Sequence, residues 1–231
     1  MSFVGYKFRF LMIKLLEQFD AVYVINLDSR RDRMIEFREG MKSLGILDHE
    51  IDEKIERFSG IVPERGPGAL GCTLSHLAIV KNAKELGYEK ILVFEDDAIP
   101  FGVSFKHLDG IIEDIKNENW DVYYLGYNSH HVLDLHSNYS LEARDLFSTH
   151  AVAYKSSFFD RFIGDQERGL IDVFDVWLRY EIQTNMKCLA SYPMLFIQST
   201  SYSDIEKKNV NYDIQIERYQ KYTSHLPKHN R

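Results

Sequence analysis

Residues Lys90 to Phe94 read Lys-Ile-Leu-Val-Phe, and Glu95, Asp96 and Asp97 follow without a break. A short apolar run with no polar alternation belongs to a strand buried on both faces, as in a parallel sheet covered by helices on either side. Three carboxylates at the carboxyl end of such a strand repel one another unless something positive sits among them, and a divalent cation is the natural counter-charge. A solvated acidic turn is the plainer alternative. A second run of the same kind, Ala21 to Leu27, leads through Asp28 and Ser29 into Arg30-Arg31-Asp32-Arg33. Met34, Phe37, Met41 and Leu44 then recur on one helical face until Gly45. Strand–loop–helix units of this type place loop residues and helix N-termini at the carboxyl edge of a sheet, where α/β proteins bind ligands.

The rest of the chain continues the alternation. Ile55 to Val62 reads as a strand, and Pro63 to Gly68 as a turn-rich loop. Ala69 to Leu86 has helical spacing, with Gly87 as its C-terminal stop. Further helices are predicted over Ser104–Asn117, Ser156–Ile163, Asp172–Ile182 and Tyr212–Tyr222. Further strands are predicted over Asp121–Leu125, Leu146–Tyr154 and Leu195–Gln198. No repeat or Pro-rich linker divides the 231 residues, so a single α/β domain with a mostly parallel, Rossmann-like central sheet is expected over 1–231. Residues 1–19 form an N-terminal segment and 206–231 a C-terminal helix and tail. With 45% hydrophobic and 27% charged residues, disorder and fibrous folds are excluded. A net charge of −7 argues against a general nucleic-acid binder. Cys72 and Cys188 are too few for a Cys-rich zinc site and read as reduced thiols.

Strand alternation puts Glu95 and Asp97 on one side and Asp96 on the other. Two hard oxygen ligands with open coordination positions suit Mg²⁺ or Mn²⁺ holding a diphosphate. Arg30, Arg31 and Arg33 face the same edge. Guanidinium forks suit phosphate, and basic residues at a positive helix N-terminus make sense beside an anionic ligand, or else mark a solvated helix start. Gly71-Cys72-Thr73-Leu74-Ser75-His76 opens a helix after the Gly-rich loop and offers Ser75 and His76 to the same edge. Tyr123, Tyr124 and Tyr127 are candidates for stacking on a sugar or base, against a core role.

Val-Tyr-Val-Ile-Asn-Leu with its Arg cluster, Gly-Cys-Thr-Leu-Ser-His and the strand ending in Glu-Asp-Asp-Ala occur in that order. Together they resemble glycosyltransferase family 25, which contains lipooligosaccharide glycosyltransferases and collagen galactosyltransferases. Thr149 to Tyr154, Val173 to Leu178, and Pro193 to Gln198 followed by Ser203-Asp204-Ile205 resemble later blocks of that family. The resemblance spans Ala21 to Ile205. It departs where Gly68-Ala69-Leu70 replace an acidic residue before the Gly-Cys pair, and where no proline precedes Asp175.

The resemblance implies a GT-A-type fold, a nucleotide-sugar donor and an inverting hexosyl transfer, with Mn²⁺ or Mg²⁺ as cofactor. UDP-galactose or UDP-glucose is the expected donor, and a hydroxyl of a glycan, glycolipid or protein the acceptor. Glu95, Asp97 and His150 are then the metal ligands. Asn26, Arg31, Arg33, Ser75, His76 and Asp96 serve the donor. Asp175 is the base, with Asp172 as competitor and a helix-capping role for Asp175 as the plain alternative. A sugar- or partner-binding module on a decayed transferase fold is the rival reading. A nucleotidyl or phosphoryl transferase is disfavoured, since no Gly-x-x-x-x-Gly-Lys-Ser/Thr loop is present.

Met1 to Leu16 mixes apolar residues with Lys7, Arg9 and Lys14, which predicts an amphipathic helix and neither a signal peptide nor a membrane span. A cytoplasmic protein is expected, with at most peripheral membrane contact through these residues or the mildly basic stretch from Lys221 to Arg231.

Overall fold

The structure is a computed structural model and describes residues 3–102, 104–131, 133–203, 208–210 and 213–227. The first half comprises α1 (Phe3–Leu16), β1 (Ala21–Asn26), α2 (Arg31–Ser43), α3 (Asp48–Lys54), β2 (Glu56–Ser59), α4 (Gly68–Glu85), β3 (Lys90–Glu95), β4 (Ala98–Pro100) and α5 (Phe105–Asn117). The second half comprises β5 (Val122–Ser129), β6 (Ser140–Glu142), β7 (Leu146–Lys155), α6 (Ser156–Glu167), α7 (Phe174–Trp177), a π-helical turn (Leu178–Ile182) and α8 (Gln183–Asn185). It closes with β8 (Cys188–Ser191), β9 (Phe196–Gln198), β10 (Ser201–Ser203), β11 (Lys208–Val210) and α9 (Asp213–Tyr222). The family-like tripeptide at Ser203 runs into Asp204 and Ile205, which lie outside the described residues, as does the basic tail from Lys228.

The central sheet runs β2-β1-β3-β7-β5-β8-β6, with the β4–β9 pair attached through β5. Strands β2, β1 and β3 are mutually parallel, and β5 is parallel to β8 and β9. The α/β fold is as expected, but the sheet is mixed. Strand β7 lies antiparallel between β3 and β5, and β6 is antiparallel to β8. The reason lies in the connection: β6 and β7 sit between β5 and α6 without the crossover helix that a parallel strand would need.

The apolar runs lack polar alternation because both faces are covered. Tyr23, Ile91, Val93, Val152 and Tyr154 share one core with Leu77, Val80 and Ala83 of α4, the phenylalanines of α6, and Phe174 and Trp177 of α7. Their neighbours Val22, Val24, Leu92, Phe94, Ala151 and Ala153 face α1, α2 and α5, which contribute Leu15, Leu16, Phe37, Met41, Ile111 and Ile112. Helix α1 is therefore part of the second core. Its basic residues are tied in as well: Arg9 pairs with Glu50 at 2.6 Å, Lys14 with Asp109 at 3.2 Å, and Lys7 lies over the Phe105 ring. Helices α2 and α4 stop where the sequence places glycine, Gly45 at φ +88° and Gly87 at φ +73°, both in left-handed backbone.

Register sets up the functional edge. Ile25 of β1 stands beside Glu95 of β3, and Asn26 beside Ser59 of β2. The start of β7 reaches the same edge from the opposite direction, since Ala151 pairs with Phe94. Antiparallel entry is what brings Thr149 and His150 next to Glu95.

Candidate active site

The three carboxylates leave β3 in three environments. The strand ends at Glu95, and Asp96 and Asp97 form a turn that breaks the alternation expected of an extended chain. Glu95 points toward α4 and β7. Its Oε1 accepts the Thr149 hydroxyl at 2.5 Å and the Cys72 thiol at 3.7 Å, and lies 3.5 Å from His76 Nε2. Asp96 points toward β1 and α2, accepting Asn26 Nδ2 at 2.7 Å and Arg33 at 3.0 Å. Asp97 shares that side: Arg33 stands 3.9 Å from its Oδ2, which also accepts Gln198 Nε2 at 3.2 Å. Alternation set Asp97 apart from Asp96, but the turn brings both to Arg33, with Glu95 still close enough for its charge to act on Asp97.

Charge is unbalanced here. Burial and the negative charge of Glu95 push Asp97 up to about 7. Its other oxygen, Oδ1, is buried and has no hydrogen-bond partner among the described residues. Burial also raises Asp96, against the pull of Asn26 and Arg33. Glu95 differs: burial would raise it, yet His76, Thr149 and His150 together hold it below the usual carboxylate range. An orphaned carboxylate oxygen among hard donors fits a divalent cation such as Mg²⁺ or Mn²⁺.

These groups line the floor of a cleft of about 540 Å³. One wall is Gly60 to Pro63, the rim is Gly66 to Gly68, and the first turns of α4 add Gly71, Cys72 and Ser75. Helix α4 opens on Gly68 with no acidic residue in its first turn, so its positive end faces the cleft unopposed. Gly71 has a steric reason: a Cβ there would stand 2.5 Å from the Ile61 carbonyl. Ser75 fastens the same loop. Its hydroxyl donates to the Gly71 carbonyl at 2.7 Å and accepts the Ile61 N–H at 2.8 Å. Asn26 is held at both ends, donating to Asp96 and to the Arg30 carbonyl while accepting Arg57 Nε at 2.9 Å.

None of the remaining candidates lines the cleft. His76 is fully buried in α4, with Nδ1 3.1 Å from the Tyr154 hydroxyl and the Phe174 ring 4.9 Å away. His150 is also fully buried, and burial lowers it to about 4, so the ring is neutral at pH 7. The Phe196 carbonyl at 3.2 Å can only accept, so Nε2 carries the proton and Nδ1 keeps a buried lone pair. Asp175 sits in the first turn of α7. Burial and the charge of Glu95 raise its pKa, while the Ser148, Val176 and its own backbone N–H groups oppose the rise. Ser148 holds a left-handed φ of +70°, next to the Thr149 that binds Glu95. Asp172 is exposed. Arg31 is exposed and does not line the cleft, and Arg30 pairs with Asp32 at 2.9 Å. Of the arginine cluster, Arg33 alone reaches the carboxylates among the described contacts. Tyr123, Tyr124 and Tyr127 are core residues, bonded to Ser140, Gln183 and the Ser191 carbonyl. Thr149 and Gln198 were missed as contributors; only their places in the family-like blocks marked them.

Among solved structures, a glycosyltransferase involved in the glycosylation of the major capsid of PBCV-1 has a similar fold. The match has TM-score 0.50 and 9% identity, covering 88% of this chain and 98% of that chain. This defines an α/β protein of the GT-A type. The sequence profile of glycosyltransferase family 25 (LPS biosynthesis protein) matches residues 19–168. The chain belongs to glycosyltransferase family 25. It is 32% identical, over 47% of its length, to the human (Homo sapiens) protein named "Inactive glycosyltransferase 25 family member 3". It is 29% identical to the rat (Rattus norvegicus) protein named "Probable inactive glycosyltransferase 25 family member 3", again over 47% of its length. The chain covers 22% and 23% of those two relatives, well under two thirds of either. No described helix is long and apolar enough to cross a membrane.

Proposed function

We propose that this chain is a metal-dependent, inverting hexosyltransferase, moving galactose or glucose from a UDP-sugar to a hydroxyl of a glycan, lipooligosaccharide or protein. The observation that carries this reading is the orphaned Asp97 Oδ1 beside two further carboxylates at the floor of a cleft of about 540 Å³. The cleft volume suits a small-molecule ligand.

Asp97 and Glu95 would hold Mn²⁺ or Mg²⁺, with the His150 Nδ1 lone pair as the third candidate ligand. The bound cation would offset the charge that gathers on the departing diphosphate. Arg33 and the N-terminus of α4 add positive potential on the same wall, and Asn26 keeps Asp96 oriented toward Arg33. Asp175 takes the proton of the acceptor hydroxyl as that oxygen attacks the anomeric carbon. The bond from that carbon to the diphosphate breaks on the opposite face, and its electron pair leaves with the nucleotide. A carboxylate raised by burial and by Glu95 is a stronger base than an exposed one.

The test is release of UDP from UDP-galactose and UDP-glucose with glycan, lipooligosaccharide and protein acceptors, in Mn²⁺ and in EDTA. Cation-dependent release that Asp97→Asn abolishes is expected. Equal release by folded Asp97→Asn overturns the assignment. The word "inactive" in the relatives' names favours a second reading, a donor-binding module without turnover. Cation-dependent donor binding with no transfer to any acceptor would select it.

A further inference from the structure

We infer that Cys72, His76 and Glu95 form a thiolate-containing site for a soft divalent cation, Zn²⁺ being the natural occupant, which shares Glu95 with the proposed hard-cation site but does not use Asp97. Cys72 and His76 are four residues apart on α4, so their side chains stand on one face. Both aim at Glu95 from across the edge of the sheet. Sγ, one His76 ring nitrogen and one carboxylate oxygen lie within 4.8 Å of one another, with Sγ to Oε1 at 3.7 Å and Nε2 to Oε1 at 3.5 Å. Bonds of about 2.0–2.3 Å to a tetrahedral ion separate its ligand atoms by about 3.3–3.8 Å. The edges from Sγ and Nε2 to Oε1 already have that length.

A second observation points to a ligand. His76 is 0% exposed, and its Nε2 makes no hydrogen bond among the described residues while it faces Glu95. The ring is already oriented for coordination. When the ion binds, the ring proton sits on Nδ1 toward the Tyr154 oxygen and Nε2 turns its lone pair from Glu95 to the ion, while Phe174 packs on the ring. Thr149 fixes the Glu95 carboxylate. Cys72 and Glu95 line the cleft, so an ion can enter and a fourth position stays open to water or a ligand. A sulfur, a nitrogen and an oxygen favour Zn²⁺ over Mg²⁺ or Mn²⁺. On binding, the Cys72 thiol gives its proton to solvent and the thiolate binds the ion. None of this depends on transferase activity.

The test uses the chelator-stripped protein and Co²⁺ as a visible stand-in for Zn²⁺. One equivalent should produce a near-ultraviolet thiolate-to-cobalt band that Zn²⁺ then displaces. Cys72→Ser should abolish the band, Cys188→Ser should keep it, and His76→Gln should weaken Zn²⁺ binding tenfold or more. No band in the unmodified protein, or a band that persists in Cys72→Ser, overturns the inference. If Cys72→Ser fails to fold, alkylation of the unmodified protein decides: Zn²⁺ should slow labelling of Cys72 tenfold or more, and unchanged labelling overturns the site. Asp97→Asn should retain the cobalt band, which separates this site from the hard-cation reading.

Discussion

Asp97 concentrates the electrostatic cost of the site. Its carboxyl ordinarily titrates near 3.8 and is pushed to about 7 in the fold. Between those values the folded state keeps a proton that the unfolded chain has lost, so stability falls as pH rises from 4 to 7 and levels off above. In EDTA at pH 8, Asp97→Asn should therefore be more stable than the parent by about 2–4 kcal/mol, a gap that closes toward pH 4. Denaturant melts at the two pH values check this, and a less stable variant at pH 8 would contradict it. Asp175→Asn should lower kcat by about 10²- to 10⁴-fold while donor affinity stays within about threefold. Steady-state kinetics beside calorimetric donor binding separates the two effects. At this scale the sequence was informative about residue type and less so about partner. Glu95, Asp96 and Asp97 were legible as a charged strand end. The turn that sends Asp97 to Arg33, and the reach of Gln198 and Thr149 from distant chain, come from tertiary pairing that no local spacing encodes. Ser75 was legible as polar and near the ligand edge, but its hydroxyl holds the Gly60–Pro63 loop against α4.

Among the elements, α4 does the most to shape the cleft. Its first turns supply one wall and the loop before it supplies another, and the two meet where Gly71 leaves room for the Ile61 carbonyl. Gly71→Ala places a Cβ 2.5 Å from that oxygen and forces the loop outward. It should cost about 1–3 kcal/mol of stability and weaken nucleotide-sugar binding more than it slows turnover at saturating donor. Thermal melts and donor titrations on the same preparation check both. Helices and strands with strong periodicity were legible: α2, α4, α5, β1, β3 and the span of β7. The short elements α3, β4, β6 and β8 were not, because a seven-residue helix is too short for its apolar period to repeat and strands of three or four residues are defined by partners, as β8 is by β5 and β6. The direction of β7 was also hidden. An apolar strand between two others reads alike in either orientation, and only the connection decides.

The molecule as a whole joins two cores through one sheet and leaves its polar chemistry at the edge where β1, β2 and β3 end and β7 begins. Helix α1 closes the second core, and its basic residues, for which at most peripheral membrane contact was expected, pair with Glu50, Asp109 and the Phe105 ring. The family match covers residues 19–168, while Gln198 of the cleft, α9 of the first core and the proposed base Asp175 lie beyond it. The central claim is that the carboxylates hold a nucleotide sugar through a divalent cation, and it is tested most directly by thermal stability with UDP-galactose and UDP-glucose, each in Mn²⁺ and in EDTA. Donor at about 100 times its Kd should add about 2.7 kcal/mol, raising Tm by several degrees in Mn²⁺, with the shift lost in EDTA and in Asp97→Asn. A shift that persists unchanged in EDTA, or none with any nucleotide sugar at millimolar concentration, would contradict the account.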